Sequence, residues 1–184
     1  PQVRVFDLQG QPINQFFAFA SHIRTGMKIA VADVDGDGSD EVIATAMAGA
    51  GPQVRIFNAA GEVESQFWAY PATFRGGVNL TTGDVDGDGT PEIIVAPESD
   101  GGPQIRVFDY DGSVVSQFLA YAGTVRGGYM LDTGDMNNDG IADIIVTPGA
   151  GLGPQVATFT YSGDLIKRFF AYADTFRGGI QATV

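Results

Sequence analysis

The sequence has no cysteine and a single histidine, His22. The first absence removes thiol nucleophiles, disulfides and thiolate metal sites together. The second removes any histidine-rich metal centre. No apolar run approaches the roughly 18 residues of a membrane span. Basic residues are scarce: 10 Lys and Arg stand against 22 Asp and Glu, for a net charge of -12. That balance argues against a nucleic-acid partner, because phosphate binding needs basic patches. No signal peptide is visible and the first residue is not Met, so the chain is expected to be processed or part of a longer one. Turn-forming residues, in contrast, are plentiful. With 26 Gly, 9 Pro and 44% hydrophobic residues, the composition excludes disorder and suits many short strands joined by tight turns.

One unit recurs along the whole chain. Pro1-Gln2-Val3-Arg4-Val5-Phe6 returns at Pro52–Phe57, again at Pro103–Phe108, and more loosely at Pro154–Phe159, each time 51 residues on. Gly10, Gly61, Gly112 and Gly163 keep the same step, as do Phe16, Phe67, Phe118 and Phe169, and Arg24, Arg75, Arg126 and Arg177. A fixed period of this size is the signature of a propeller or a solenoid.

Within the unit spanning residues 77–127, Val78, Leu80 and Thr82 alternate with polar neighbours, as a strand requires. Ile93-Ile94-Val95 forms a short β-branched run, and Gln104–Phe108 a third strand. Asp111-Gly112 marks a hairpin before a fourth strand, Val114–Tyr121. Four short antiparallel strands per unit describe a propeller blade better than a solenoid turn. The parse gives a part-blade at residues 1–25, blades at 26–76, 77–127 and 128–178, and the first strand of another blade at 179–184. The fold class expected is therefore all-β, an incomplete ring of four-stranded blades. A longer parent chain or a second copy is expected to complete the ring. The pairs Phe16/Phe17, Phe67/Trp68, Phe118/Leu119 and Phe169/Phe170 read as inter-blade core, with ligand stacking the alternative for Trp68. Arg24 and its counterparts are expected to bond carbonyls between blades, and Arg4, Arg55 and Arg106 to lie on an exposed strand face.

More than half of the acidic residues, 12 of 22, fall in three loops in register. The first is Asp33-Val-Asp-Gly-Asp-Gly-Ser-Asp-Glu41, the second Asp84-Val-Asp-Gly-Asp-Gly-Thr-Pro-Glu92, the third Asp135-Met-Asn-Asn-Asp-Gly-Ile-Ala-Asp143. Positions 1, 3 and 5 always carry carboxylate or amide oxygen: Asp33, Asp35 and Asp37; Asp84, Asp86 and Asp88; Asp135, Asn137 and Asp139. Position 9 is always acidic. Position 7 is Ser39, Thr90 or Ile141, so its shared ligand would be the backbone carbonyl. An all-oxygen donor set with a sharp glycine turn suits calcium, one ion per loop and three in all; zinc would want His or Cys, and magnesium a stricter octahedron. Three such ions would halve the net charge. An EF-hand is excluded, because position 12 is Ala44, Val95 or Val146 rather than Glu, and a β-branched strand follows each loop. The third loop, one charge poorer at Asn137, is expected to bind weakest.

These loops and the strands around them resemble the FG-GAP/VCBS repeat family, whose members resemble the blades of integrin α-subunit propellers and occur in bacterial cell-surface proteins, some lectins and some polysaccharide lyases. The family's calcium pattern, Asp-x-Asp-x-Asp-Gly-x-x-Asp, falls on the fifteen positions just named, with Glu in place of Asp at 41 and 92. The resemblance implies a calcium-stabilised, non-enzymatic module, extracellular or at the cell surface, that binds a protein or glycan or builds a surface array. A lectin-like propeller or part of a polysaccharide-cleaving enzyme is the alternative. Catalytic material is thin: His22 has Thr73, Thr124 and Thr175 as its counterparts, and Asp132 is an acidic residue out of step with Ala30, Thr81 and Thr183.

Overall fold

The computed structural model describes residues 1–184 and contains only strands, turns and loops. Two strands, β1 (Gln2–Phe6) and β2 (Pro12–Phe17), form a two-stranded antiparallel sheet. Three four-stranded antiparallel sheets follow, each with its strands in chain order. Blade 1 holds β3 (Met27–Ala32), β4 (Glu41–Ala46), β5 (Gln53–Phe57) and β6 (Val63–Trp68). Blade 2 holds β7 (Val78–Gly83), β8 (Glu92–Pro97), β9 (Gln104–Phe108) and β10 (Val114–Leu119). Blade 3 holds β11 (Tyr129–Gly134), β12 (Asp143–Pro148), β13 (Gln155–Phe159) and β14 (Leu165–Phe170). The sheets are arranged as blades and do not close into a ring. Residues 179–184, read from sequence as a first strand, have no partner strand and form no ladder. They are held to blade 3 by single bonds, such as Thr147 Oγ1 donating to the Ile180 carbonyl at 3.0 Å.

The core lies between blades, and the period of two explains why. Side chains along a strand alternate between the faces of its sheet. In β8, Ile93 and Val95 join Ile43, Val54 and Ile56 of blade 1, while Ile94 and Ala96 join Ile144, Val146 and Ala157 of blade 3. A strand covered on both faces must be apolar at every step, hence the unbroken run Ile93-Ile94-Val95-Ala96. Every residue of β4, β8 and β12 is buried. Each fully buried Val or Ile contributes roughly 1.5–3 kcal/mol. The outermost strand, with one face in water, alternates instead. Phe16, Phe67 and Phe118 turn inward onto Phe57, Phe108 and Phe159 of the next blade, with ring centroids 4.9, 4.7 and 5.0 Å apart. Phe17, Trp68, Leu119 and Phe170 turn outward and are at least half exposed. Only the first residue of the first three pairs is therefore core, because adjacent residues on a strand cannot share a face; Phe169, with no following blade to cover it, is 46% exposed.

The hairpin glycines meet two demands at once. Gly61 and Gly112 have φ of 83° and 84°, the left-handed region that favours glycine. A Cβ on Gly61 would also stand 2.5 Å from the Phe16 ring, and one on Gly112 2.6 Å from Phe67. Turn and inter-blade packing thus converge on one residue.

Two strand arginines take the role expected of the linker arginines, while Arg4 lies exposed as expected and bonds Gln15. Arg55 and Arg106 are half-buried; their Nη1 atoms donate to the carbonyls of Ala18 and Ala69 in the preceding blade, and their guanidiniums lie over Phe57 and Phe108. Arg75, Arg126 and Arg177 instead fold back on carbonyls of their own linkers. The bond between blades comes from the strand arginine because its face of the sheet is covered by the preceding blade. Tyr70 and Tyr121 add a second clasp, donating to the carbonyls of Gln104 and Gln155 in the following blade at 2.8 and 2.7 Å. Burial among these backbone groups pushes both phenols well above their ordinary range.

Antiparallel order sorts the connections to two ends. The acidic loops and the glycine hairpins lie at one end. The β4–β5, β8–β9 and β12–β13 loops and the blade-to-blade linkers lie at the other.

Candidate metal centres

Each acidic loop joins the first two strands of its blade, so its ends are fixed by a six-pair ladder. Within the loop, the side chains are held by its own backbone. In the first loop, Asp33 accepts from Gly36 N–H and Gly38 N–H, both at 2.9 Å. Asp35 accepts from Asp37 N–H at 3.1 Å, and Asp37 from Ser39 N–H at 2.8 Å. Glu41, buried at the start of β4, accepts from Val34 N–H at 3.1 Å. The second loop repeats this bond for bond: Asp84 with Gly87 and Gly89, Asp86 with Asp88, Asp88 with Thr90, and Glu92 with Val85.

These bonds leave one oxygen of Asp35, Asp37 and Glu41, and of Asp86, Asp88 and Glu92, without a protein donor. Oxygens of Asp33, Asp35 and Asp37 lie within 4.8 Å of one another, as do those of Asp84, Asp86 and Glu92. No backbone bond outside the strands ends on the carbonyls of Ser39, Thr90 or Ile141, which stay free to act as ligands. Convergent, fixed, uncompensated hard oxygens form a donor set for a hard divalent cation. The electrostatics agree. Burial, reinforced by Asp86 and Asp88, pushes the Glu92 carboxyl up to about 7. Burial likewise raises Glu41 and Asp143 above the ordinary carboxylate range.

The third loop keeps the framework and changes its centre. Asp135 accepts from Asp139 and Gly140 N–H, Asp139 from Ile141, and Asp143 from Met136. The amide of Asn137, however, donates from Nδ2 to Asp139 Oδ2 at 2.9 Å and to Asp143 Oδ1 at 3.4 Å. A donor stands where the other loops present a carboxylate oxygen, and no three carboxylates of this loop converge as they do elsewhere.

The FG-GAP-like repeat family matches residues 33–95 and again 84–146, each match running from one acidic loop to the strand beyond the next. The chain belongs to this family. Its FG-GAP-like blades place all fifteen expected positions in three equivalent loops, and bring together Asp33, Asp35 and Asp37 in the first and Asp84, Asp86 and Glu92 in the second; Glu41 converges with Asp35 alone of its loop, and Asp88 stands outside its trio. No curated protein sequence matches the chain. Among solved structures, the Dos1 propeller matches all of the chain at 17% identity, with a TM-score of 0.62 over 45% of its own length. The exotype rhamnogalacturonan lyase YesX matches 91% of the chain at 14% identity, with a TM-score of 0.55 over 35% of its length. BBS1N, solved in complex with ARL6DN, matches 78% at 10% identity, with a TM-score of 0.52 over 43% of its length. The chain thus spans less than half of each of these structures, and at such identities they establish the propeller fold alone.

One acidic residue of the FG-GAP-like blades escaped the loop pattern. Glu64, on β6, brings a carboxylate oxygen within 4.8 Å of Asp35 and Glu41. Its counterparts Ile13, Val115 and Ile166 are apolar, and that break in the repeat is the only signal the sequence offers. His22 is exposed, with no hydrogen-bond partner. Asp132 accepts from the Thr133 and Val184 N–H groups, each at 3.0 Å, which gives it a structural use. No helix is long and apolar enough to cross a membrane.

Proposed function

We propose that the chain is a calcium-stabilised propeller module, extracellular or at the cell surface, that binds a protein or glycan and performs no chemistry of its own. The observation that carries this reading is the loop geometry: carboxylates pinned by backbone N–H bonds, with oxygens of Asp33, Asp35 and Asp37, and of Asp84, Asp86 and Glu92, within 4.8 Å of one another. Asp33, Asp35, Asp37, the Ser39 carbonyl and Glu41 would hold one ion; Asp84, Asp86, Asp88, the Thr90 carbonyl and Glu92 a second; Asp135, Asn137, Asp139, the Ile141 carbonyl and Asp143 a third. A bound ion supplies positive charge at the corner between the first two strands of a blade. The chain's own residues do the rest: glycines turn the loop, N–H groups aim the oxygens, and the buried position-9 carboxylate ties the loop to the second strand. Millimolar calcium outside cells suits sites of this exposed kind. The test is calorimetric titration with calcium alongside melting in calcium and in EDTA. Three ions per chain and a lower melting temperature in EDTA are expected; an unchanged melting temperature defeats the reading.

A second reading takes the chain as part of a polysaccharide-cleaving enzyme, and the rhamnogalacturonan lyase among its structural neighbours favours it. Loss of polymer length from pectic substrates incubated with the chain would support that reading over the first.

A further inference from the structure

The middle blade departs from its neighbours at the end opposite the acidic loops. Its β8–β9 loop reads Glu98-Ser99-Asp100-Gly101, where blade 1 has Met47-Ala48-Gly49-Ala50 and blade 3 has Gly149-Ala150-Gly151-Leu152. Small or apolar residues are replaced by polar ones at three consecutive positions. Gly49 and Gly151 have φ of 103° and 90°, and Asp100 keeps the left-handed backbone with φ 54°, a region that side chains seldom occupy. In blades 1 and 3 the glycine N–H donates to the carbonyl of Arg75 or Arg177, at 2.7 and 2.8 Å. In blade 2 the pairing moves on one residue, and Gly101 and Gly127 exchange both N–H···O bonds, at 3.2 and 3.1 Å. Asp100 is thereby released from the ladder, and its carboxylate meets only Ser99 Oγ, at 3.5 Å.

This loop bounds a cavity of about 450 Å³ between blades 1 and 2, against about 300 Å³ for its counterpart between blades 2 and 3. Gly101 contributes by carrying no side chain, and a Cβ there would stand 2.2 Å from the Pro97 Cβ. At the same position in blade 3, Leu152 fills the space, its Cδ1 lying 2.8 Å from where a Cβ on Gly127 would stand. Phe74 and Leu119 give the cavity an apolar wall, and Asp100, Gln104 and Arg126 line the rest. Arg126 is fixed through Nη1 by the carbonyls of Gly123 and Val125, so its Nε and Nη2 donors stay open. The cavity thus offers an acceptor-only carboxylate, a donor-only guanidinium and an apolar wall.

A ligand that carries one sign of charge meets a like charge here. An uncharged, hydroxyl-rich ring with a C–H face satisfies all three elements from one rigid body. We infer that this cavity binds a neutral sugar residue, with Asp100 accepting from its hydroxyls, Arg126 donating to its oxygens, and Phe74 and Leu119 against its C–H face; the inference rests on the reading of the chain as a binding module.

The test is amide NMR of the labelled chain in calcium, titrated separately with glucose, galactose, mannose, fucose and rhamnose, and with the dipeptide Gly-Gly as a zwitterionic probe. At least one sugar is expected to give saturable shifts at residues 99–104 and 126–127. Asp100→Gly and Gly101→Leu should each weaken that binding at least about tenfold, a loss of ~1.4 kcal/mol. Both substitutions install a residue that a flanking blade uses; Gly101→Leu must also displace Pro97, which a Cβ would meet at 2.2 Å, so Asp100→Gly decides the test wherever the remainder of the Gly101→Leu spectrum moves. Sugar binding that survives both substitutions, or that maps elsewhere, overturns the site and leaves the binding-module reading intact. Shifts with Gly-Gly and none with sugars overturn the ligand class. Silence with every probe overturns the proposal, while the calcium reading is decided independently by melting in EDTA.

Discussion

The first two acidic loops and the third share a backbone and differ in what fills the middle. In the loops of blades 1 and 2 the centre is ringed by carboxylate oxygens. In the loop of blade 3 an amide nitrogen of Asn137 reaches two of the remaining acids. A neutral donor thus supplies, from within the chain, part of the compensation that a cation would bring from outside. A single exchange of oxygen for nitrogen separates two loops whose carboxylates face one another from one that is partly self-satisfied, and like charges in close contact must be offset by something.

The largest effect should follow removal of calcium. At free ion about a hundredfold above the dissociation constant, each site adds roughly 2.7 kcal/mol. Scanning calorimetry in EDTA should therefore show a drop in melting temperature of many degrees, carried mostly by blades 1 and 2. Next, Asp84→Ala should abolish one site in a calcium titration and cost roughly 0.5–1.5 kcal/mol for each of the two loop hydrogen bonds it removes, since water can replace the carboxylate at the exposed Gly87 and Gly89 N–H groups. Asp135→Ala should alter the calcium isotherm much less; equal losses would erase the distinction between the loops. Asn137→Asp should sharpen it from the other side. It restores the missing carboxylate, so calcium affinity at the third loop should rise about tenfold, ~1.4 kcal/mol, while stability in EDTA falls.

Acidity gives a fourth test. The Glu92 carboxyl, raised by burial from 4.5 to about 7, favours the protonated form in the fold. Its contribution in chelator is fully present below the unfolded value of 4.5 and is lost as pH rises through about 7. Melting temperature in EDTA should therefore fall across that interval. Calcium, which requires the ionised form, should reverse the trend, so the gap between the two curves widens toward neutral pH. The smallest effect is expected from Glu64→Gln, a few-fold loss of affinity confined to the first loop, since Glu64 approaches that site from a strand outside it. A titration unchanged by Glu64→Gln would return that residue to the solvent.

The propeller blades and all three loops were legible in the sequence because the signals that make them are local. Alternation along β7, the β-branched run of β8, and the spacing of Asp84, Asp86, Asp88 and Glu92 each follow from backbone geometry over a few residues. What was not legible depends on how neighbouring sheets meet. Arg55 and Arg75 both recur with the period, and only the placement of the preceding blade shows which one reaches across. Phe67 and Trp68 read as one aromatic pair until the pleat sends them to opposite faces. Glu64 reaches the first loop from β6, two strands away from β4 in the sheet. Asp100 has glycine counterparts in blades 1 and 3, and only the placement of Gly127 beside Gly101 shows that its carboxylate lines a cavity.

The contact between each hairpin glycine and the phenylalanine of the preceding blade has a consequence for how such chains grow. Gly61 receives Phe16, Gly112 receives Phe67 and Gly163 receives Phe118, always in the same direction. Every unit carries both the plug and the socket, one on each side. Duplicating or deleting a whole unit therefore leaves every surviving junction with a matched pair, whereas shifting the reading by part of a unit breaks two. Gene duplication in 51-residue steps is the one change of length that this architecture accepts without redesigning a single interface.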